Sequence, residues 1–425
     1  MSKTKARFGL QPWLLVPLFA ACSSCTGVSS LPENSSGPGD GVGASVGSGS
    51  ATGVGSGTGT SGTGVSSKPV VPTTELDSGR VVLRRLNTAE YDNTMHDLLG
   101  TNQTLAQAFP SDDVADGFDT IGAALSFSEL LAEDMESATG TLVDELLARP
   151  TADPLRAKIM LCEPTTANAA TCLPQILGAF MKNAFRRPAT GAEVQDIVSL
   201  AGSIQQSSGD VMTGLKGAFK AVLLDPSFVY HVELGNPTST AATPLNDYEL
   251  ASRLSYFAWS TMPDSQLIAA ADAAKLAPVG SDFDTQVERV LSDPKAQAFI
   301  NRFSSQWLSI QDVSLVAPSD KSYPTFDQSL LSSIAPETTL FFKSLVNDAL
   351  PLKTLLLADF SFVNARLATE YGLPGGQTGF VKTSLKGTPR IGFLTQDTFL
   401  TVTSQPDRTS PVKRGNWVLE HLLCD

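Results

Sequence analysis

"NTAEYDNTMHDLLG" (residues 87–100) decides the fold class. Asn87 and Glu90 stand at capping-box spacing, so each can satisfy a free N–H at a helix start. Tyr91, Met95, Leu98 and Leu99 fall on one face at helical period, and Gly100 is a stop signal. The same design recurs outward along the chain. "SFSELLAEDMESATGTLVDELLARP" (126–150) pairs Ser126 with Glu129 at its start and has Pro150 past its end. "NDYELASRLSYFAWSTMP" (246–263) repeats the box with Asn246 and Glu249. Helical stretches bounded by Pro, Gly or Asp fill 173–226, and "FDTQVERVLSDPKAQAFINRFSSQWL" (283–308) reads as two short helices split at Pro294. Pro336 is expected to break or kink the apolar run from Phe326 to Leu350. Period-two patterns are scarce. "GFVKTSL" (379–385) and "IGFLTQDTFLTVTS" (391–404) are the best, and the second fits a short helix and loop equally well. The expected class is therefore all-α, with several helical bundles in series.

The first 80 residues differ in kind. Lys3, Lys5 and Arg7 precede "LQPWLLVPLFAA" (10–21), an apolar run too short and too broken by Pro12 and Pro17 to span a bilayer well. Ala20 and Ala21 before Cys22 are similar to a bacterial lipobox, in which Cys22 is lipidated after cleavage of residues 1–21; Phe19 departs from that pattern. Ser23 after the cysteine suggests outer-membrane sorting. An ordinary cleaved signal peptide is the alternative. Residues 22–78 are rich in Gly, Ser and Thr with no apolar period, the composition of a tether that cannot offset its ordering entropy. The expected order is then helical modules at 79–150, 151–238 and 239–372, and an incomplete one at 373–425. The expected location is the cell envelope, with the membrane reached through the lipid anchor.

Composition narrows the function. The 425 residues are 42% hydrophobic, enough for a sizeable core, and carry a formal charge of −13. Nucleic-acid binding through a bulk basic surface is excluded. Three histidines and five cysteines leave little material for a metal site, and none is expected. "CSSCT" (22–26) has two cysteines at haem-attachment spacing but lacks the histidine, so no c-type haem and no other cofactor is expected. Cys162 and Cys172 close a polar loop and read as a disulfide in an exported protein. His96, His231 and His421 are dispersed, without an H-E-x-x-H or a nucleophile elbow around any serine.

Two charged clusters are the candidate sites. "PSDDVADGFD" (110–119) gathers Asp112, Asp113, Asp116 and Asp119 around Gly117, but Val114 and Ala123 occupy positions where a calcium loop needs ligands. Arg408, Lys413 and Arg414 surround Pro411 in "TSQPDRTSPVKRGNWVLEHLLCD" (403–425). Lys413 and Arg414 sit in a helix's first turn, where the dipole disfavours cations. A bound anion offsets that cost, and so does pairing with Asp112 and Asp113 of the acidic loop; the pairing is the expected arrangement.

Four stretches carry a resemblance: "RRLNTAEYDNTMHDLLG…FPSDDVADGFDT", "AFRRPATGAEV", "LLDPSFVYHVE…LNDYELASRLSYFAWSTMPDSQL", and "FSFVNARLATEYGL" with "IGFLTQDTFLTVTSQPDRTSPVKRGNWVLEHLLC". In this order they resemble the serial domains of unknown function in large secreted proteins of planctomycetes and myxobacteria. Such proteins often carry c-type cytochrome or carbohydrate-binding modules. The resemblance thus implies extracellular redox or polysaccharide work, with a polysaccharide ligand or a redox partner protein. A Pro-rich linker and another helical module usually follow where this chain ends, which suggests truncation and leaves Cys424 without an obvious partner. Three roles stay open: polysaccharide binding or processing, with Trp259 or Trp307 edging a groove; acid–base hydrolysis through Asp112 or Asp113; and a structural envelope protein.

Overall fold

The computed structural model describes residues 82–234, 243–276, 280–376 and 378–423. The leader, Cys22, the tether and Cys424 lie outside the described residues.

Helix α1 (Thr88–Leu99) starts where expected: the Asn87 side chain accepts from the Glu90 N–H, the Glu90 carboxylate accepts from the Asn87 N–H, and Gly100 closes the helix at φ 67°. It is followed by α2 (Glu129–Ala148), α3 (Pro154–Ile159), α4 (Ala169–Ala184), α5 (Gly191–Ser208), α6 (Val211–Leu224) and α7 (Pro226–Val229). One residue choice differs from the sequence reading. Ser128, not Ser126, caps α2 by accepting from Leu131 N–H. The Ser126 hydroxyl donates instead to Asp113. Strand β1 (Arg84–Arg85) pairs antiparallel with β2 (Tyr230–His231), Arg84 opposite His231. A short ladder thereby returns the end of the seventh helix to the start of the first.

One apolar core gathers side chains from Leu86 to Val229, together with Tyr256 and Met262. It has no seam at residue 150, because α2 and α6 pack on each other across that position. Gly214 permits the close approach of α5 and α6: a Cβ there would stand 2.4 Å from the Ala201 carbonyl oxygen. The Cys162–Cys172 disulfide closes the loop leading into α4.

The second half comprises α8 (Asp247–Trp259), α9 (Ser265–Asp272), α10 (Ser281–Ser292), α11 (Gln297–Trp307), α12 (Gln328–Asn347), α13 (Thr354–Leu357), α14 (Ala365–Glu370), α15 (Asp397–Val402) and α16 (Pro411–Val418). Asn246 and Glu249 form the expected box on α8. A 3₁₀ turn at Pro294–Ala296 separates α10 from α11, as the proline predicts. Pro336 behaves otherwise, because α12 runs unbroken through it. The helix is clamped on both sides of the proline. Leu330 and Ile334 sit in one apolar cluster, Phe341, Phe342 and Leu345 in another, and this packing overrides the lost hydrogen bond. Strands β3 (Phe360–Val363) and β4 (Val381–Ser384) form a second two-stranded ladder, which crosses the expected boundary at 372. "IGFLTQDTFLTVTS" resolves as α15 and its flanks rather than as a strand. The chain is mostly helical, and among the described residues no helix is long and apolar enough to cross a membrane.

Candidate functional site

A half-open cavity of about 230 Å³ lies at the end of the second half. Three pieces of chain build it. The approach to α12 supplies Val316, Pro318, Tyr323, Phe326 and Leu330; the end of α14 supplies Glu370; and the run from α15 into α16 supplies Asp397, Leu400, Thr401, Ser404, Gln405, Thr409 and Arg414. The last run turns back on itself through a Ser404–Thr409 bridge. The Gln405 N–H donates to the Arg408 carbonyl at 2.8 Å. The Ser319 N–H donates to the Pro406 carbonyl at 2.7 Å, fastening that turn to the opposite wall. One side of the cavity is thus aromatic and aliphatic, the other carboxylate, hydroxyl, amide and guanidinium.

Asp397 is the chemically loaded member. Its Oδ1 accepts from Arg390 Nη1 at 2.8 Å, while its Oδ2 is buried with no hydrogen-bond partner. Burial raises the pKa of this carboxyl, the Arg390 guanidinium lowers it, and the neighbouring Glu370 charge raises it again; the net displacement is upward. Glu370 is itself paired with Arg366 at 3.1 Å. Behind Asp397 lies a closed polar relay. The Asp397 N–H donates to the Tyr371 hydroxyl at 3.2 Å, and that hydroxyl donates to Glu337 Oε2 at 2.7 Å. Ser361 Oγ donates to Glu337 Oε1 at 2.5 Å, and Gln396 Nε2 donates to Ser361 Oγ at 3.1 Å. Glu337 is fully buried on α12 and no cation touches it, so desolvation pushes it up to about 8. Arg390 stacks 3.6 Å above the Tyr371 ring, which locks the wall carrying Asp397.

Arg414 is the cationic member. Its Nη2 reaches Ser404 Oγ only at 3.5 Å and its Nε is buried without a partner. Lys413 Nζ donates to the Ser404 carbonyl at 3.1 Å. Among the described residues, Arg408, Lys413 and Arg414 form no ion pair with any carboxylate.

The expected pairing of these cations with the acidic loop is therefore corrected. Asp112 accepts from buried Arg85 at 2.8 Å and from the Thr88 N–H at 2.7 Å, so it serves the positive end of α1. Asp113 accepts from Ser126, and Asp119 pairs with Arg302 at 2.5 Å. Arg85 was the missed partner; it sits two residues before the capping box, on β1, aimed back at the loop. The five residues Arg408, Lys413, Arg414, Asp112 and Asp113 thus belong to two separate places. Of them, only Arg414 lines the cavity.

The other candidates disperse similarly. Trp259 is buried and its indole N–H donates to the Val290 carbonyl at 2.9 Å. Trp307 is half-buried, donating to the His421 carbonyl at 3.2 Å. Neither lines the cavity, so a groove edged by these two tryptophans is not what the chain builds. His96 Nδ1 lies 2.6 Å from the Thr101 carbonyl. His231 lies beside Glu90 at 3.5 Å. His421 Nε2 lies 2.5 Å from Ser309 Oγ, yet its Nδ1 has no partner, so no carboxylate completes a triad. Among the described residues no group of three or more His, Cys, Asp or Glu side chains could hold a metal ion. Asp397 and Glu370 were missed by sequence reading. The local signal at Asp397 was an acid opening a short apolar run, which is ordinary at any helix start, and Glu370 merely ends a short helix.

Four family models match the chain in succession, each described as a protein of unknown function: DUF1587 over residues 84–148, DUF1595 over 172–233, DUF1592 over 245–373 and DUF1588 over 390–425. No curated protein and no solved structure matches it. The cavity draws one wall from the DUF1592 match and the other from the DUF1588 match, so the site exists only where the two meet. With all four modules in order on one polypeptide, the chain matches the serial, cytochrome-associated planctomycete pattern of domains of unknown function.

Proposed function

We propose that this chain is an exported, lipid-anchored protein of the cell envelope that binds extracellular polysaccharide, or helps to process it, through the cavity between α12, α14, α15 and α16. The carrying observation is the two-sided lining. Tyr323 and Phe326 offer apolar ring surface, and Glu370, Asp397, Gln405 and Arg414 offer hydrogen-bonding groups that fix orientation. That combination suits a sugar ring, apolar on its faces and hydroxylated at its rim. The cavity falls below the usual size for drug-sized ligands, which favours one ring or a chain end over a long segment. The leader preceding Cys22 and the disulfide at Cys162–Cys172 support export into an oxidising compartment.

The test is retention of the tagged ectodomain on insoluble cellulose, chitin and peptidoglycan, with Leu400→Trp as a cavity-filling control. Retention that Leu400→Trp abolishes is the expected result, and no retention on any of the three overturns the reading. Separately, Cys22→Ser should move the full chain out of the membrane fraction.

A second reading rests on the unequal carboxylates. Asp397, held protonated to higher pH by burial and by Glu370, has the environment of a general acid with a second carboxylate beside it in the lining. If the site is hydrolytic, Asp397→Asn abolishes release of reducing ends while binding persists. The roles first considered for Asp112 and Asp113 pass to Asp397 and Glu370 in this reading.

A further inference from the structure

We propose that the cavity selects an acidic sugar, a hydroxylated ring bearing a carboxylate, with the carboxylate seated against Arg414. The inference deepens the saccharide reading and rests on it. Its ground is the charge balance around the lining. Both acids of the lining already have a cation: Asp397 has Arg390 at 2.8 Å, and Glu370 has Arg366 at 3.1 Å. Arg414 has no anion among the described residues, although its Nε is shielded from water and without a partner. A guanidinium lining a cavity without a counter-charge gains more from a charged acceptor than from a neutral one.

The surroundings reinforce the sign. Lys413 and Arg408 flank the same turn, both exposed, and Asp407 is the one exposed acid beside them. Arg414 and Lys413 also lie in the first turn of α16, where the dipole adds positive potential instead of cancelling it. A carboxylate at this point meets the Arg414 guanidinium at a helix start, with two further cations on the exposed side of the same turn. The rest of the ring then meets the polar groups of the lining, Gln405, Ser404 and Thr401, and the apolar surface of Tyr323 and Phe326. A ligand with one anionic group and neighbouring hydroxyls matches both the unpaired guanidinium and the hydroxyl and amide groups of the lining. A neutral sugar leaves the guanidinium without a counter-charge, and a bare carboxylate leaves the aromatic and hydroxyl groups of the lining without a partner.

Calorimetric titration of the full chain with glucuronate, glucose and acetate tests this. Glucuronate should bind about 10-fold or more tightly than either of the others, the scale of one charge-assisted hydrogen bond. Arg414→Gln should abolish that preference, so that glucuronate and glucose bind the variant with similar affinity. Should Arg414→Gln fail to fold, the salt dependence of the unaltered chain gives the same information: glucuronate binding weakens with added salt and glucose binding does not. Equal binding of glucose and glucuronate overturns the acidic-sugar inference and leaves the saccharide reading standing. Acetate binding as tightly as glucuronate overturns it from the other side. If neither sugar binds, the saccharide reading itself fails, and this inference with it.

Discussion

Two glutamates, each almost wholly buried in a helix, live in opposite electrostatic worlds. Glu90 in the first half is 2% exposed and Glu337 in the second is 0% exposed. Burial alone would raise the pKa of both. At Glu90 the Arg84 guanidinium at 2.7 Å and His231 more than offset that rise, and the carboxyl is held far below its ordinary range. At Glu337 the neighbours are two hydroxyls and no contacting cation, so burial wins and the group is pushed up to about 8. The lesson is that depth does not decide ionisation; the charge of the nearest donor does. The first half spends its buried carboxylate on holding β1, β2 and α1 together. The second half keeps one neutral beneath the cavity wall, and leaves orphaned polar atoms in the wall itself.

Removing Glu90 is the harshest way to probe the contrast. Glu90→Ala leaves Arg84 and half-buried His231 facing no anion and takes away half of the α1 capping box. Breaking a buried pair from one side typically costs about 3–5 kcal/mol. Chemical denaturation should show a loss of that order. A loss below about 1 kcal/mol would mean that the pair is solvated and the contrast is false.

The pH dependence of stability sharpens the comparison, because the two regions tilt in opposite directions. His231 is lowered to about 4 by burial, so between its ordinary 6.5 and 4 the unfolded chain binds the proton and the folded chain does not. Its contribution is therefore lost as pH falls through that window. Glu90, also depressed, adds acid lability below its ordinary 4.5. Glu337 has the reverse sign. Between 4.5 and about 8 the folded chain retains a proton that the unfolded chain has released, so stability falls as pH rises. From 4.5 to 6.5 the His231 and Glu337 slopes oppose each other. Above 6.5 that of Glu337 stands without the histidine's opposition, at about 1.4 kcal/mol per pH unit until it titrates. Glu337→Gln should flatten this alkaline slope and steepen the loss on acidification between 6.5 and 4.5, where the glutamate no longer opposes the histidine. A slope that persists in Glu337→Gln would place the proton uptake elsewhere.

The same contrast explains what was legible in the sequence. The helical class, the boxes at Asn87 and Asn246 and the break at Pro294 were readable because their causes lie within four residues. Ser128 displaced Ser126 as a cap because Asp113, thirteen residues upstream, claimed the Ser126 hydroxyl. Pro336 was misread for a similar reason, since the packing that keeps α12 continuous comes from two distant clusters. Arg414 was visible as half of a possible anion site, but its wrong partner was chosen. Local rules cannot reveal that Arg85, buried on a two-residue strand, had already taken Asp112. Nothing local distinguishes Asp397 from other acids opening a helix. What marks it is convergence with Glu370, Tyr371 and Arg390, and convergence is not written in spacing.

The smallest effect compares one device in the two halves, the side-chain cap. Asn87 is fully buried; it accepts from Glu90 N–H and its own Nδ2 reaches the Asp119 carbonyl at 3.4 Å. Ser410 caps α16 in a half-buried position with one bond, accepting from the Lys413 N–H at 3.3 Å. Cap removal costs about 0.5–2 kcal/mol, more where water cannot replace the lost acceptor. Asn87→Ala should therefore fall near about 2 kcal/mol and Ser410→Ala near about 0.5 kcal/mol by denaturant titration. The ranking matters more than the values, because water can replace the Ser410 acceptor and cannot reach that of Asn87. Equal losses would indicate that α16 is as tightly integrated as α1, and that the cavity wall carrying Arg414 is no softer than the core around Glu90. A larger loss at Asn87 with glucuronate affinity reduced only in Ser410→Ala would separate the two halves cleanly: one cap serves the fold, the other the aim of a side chain.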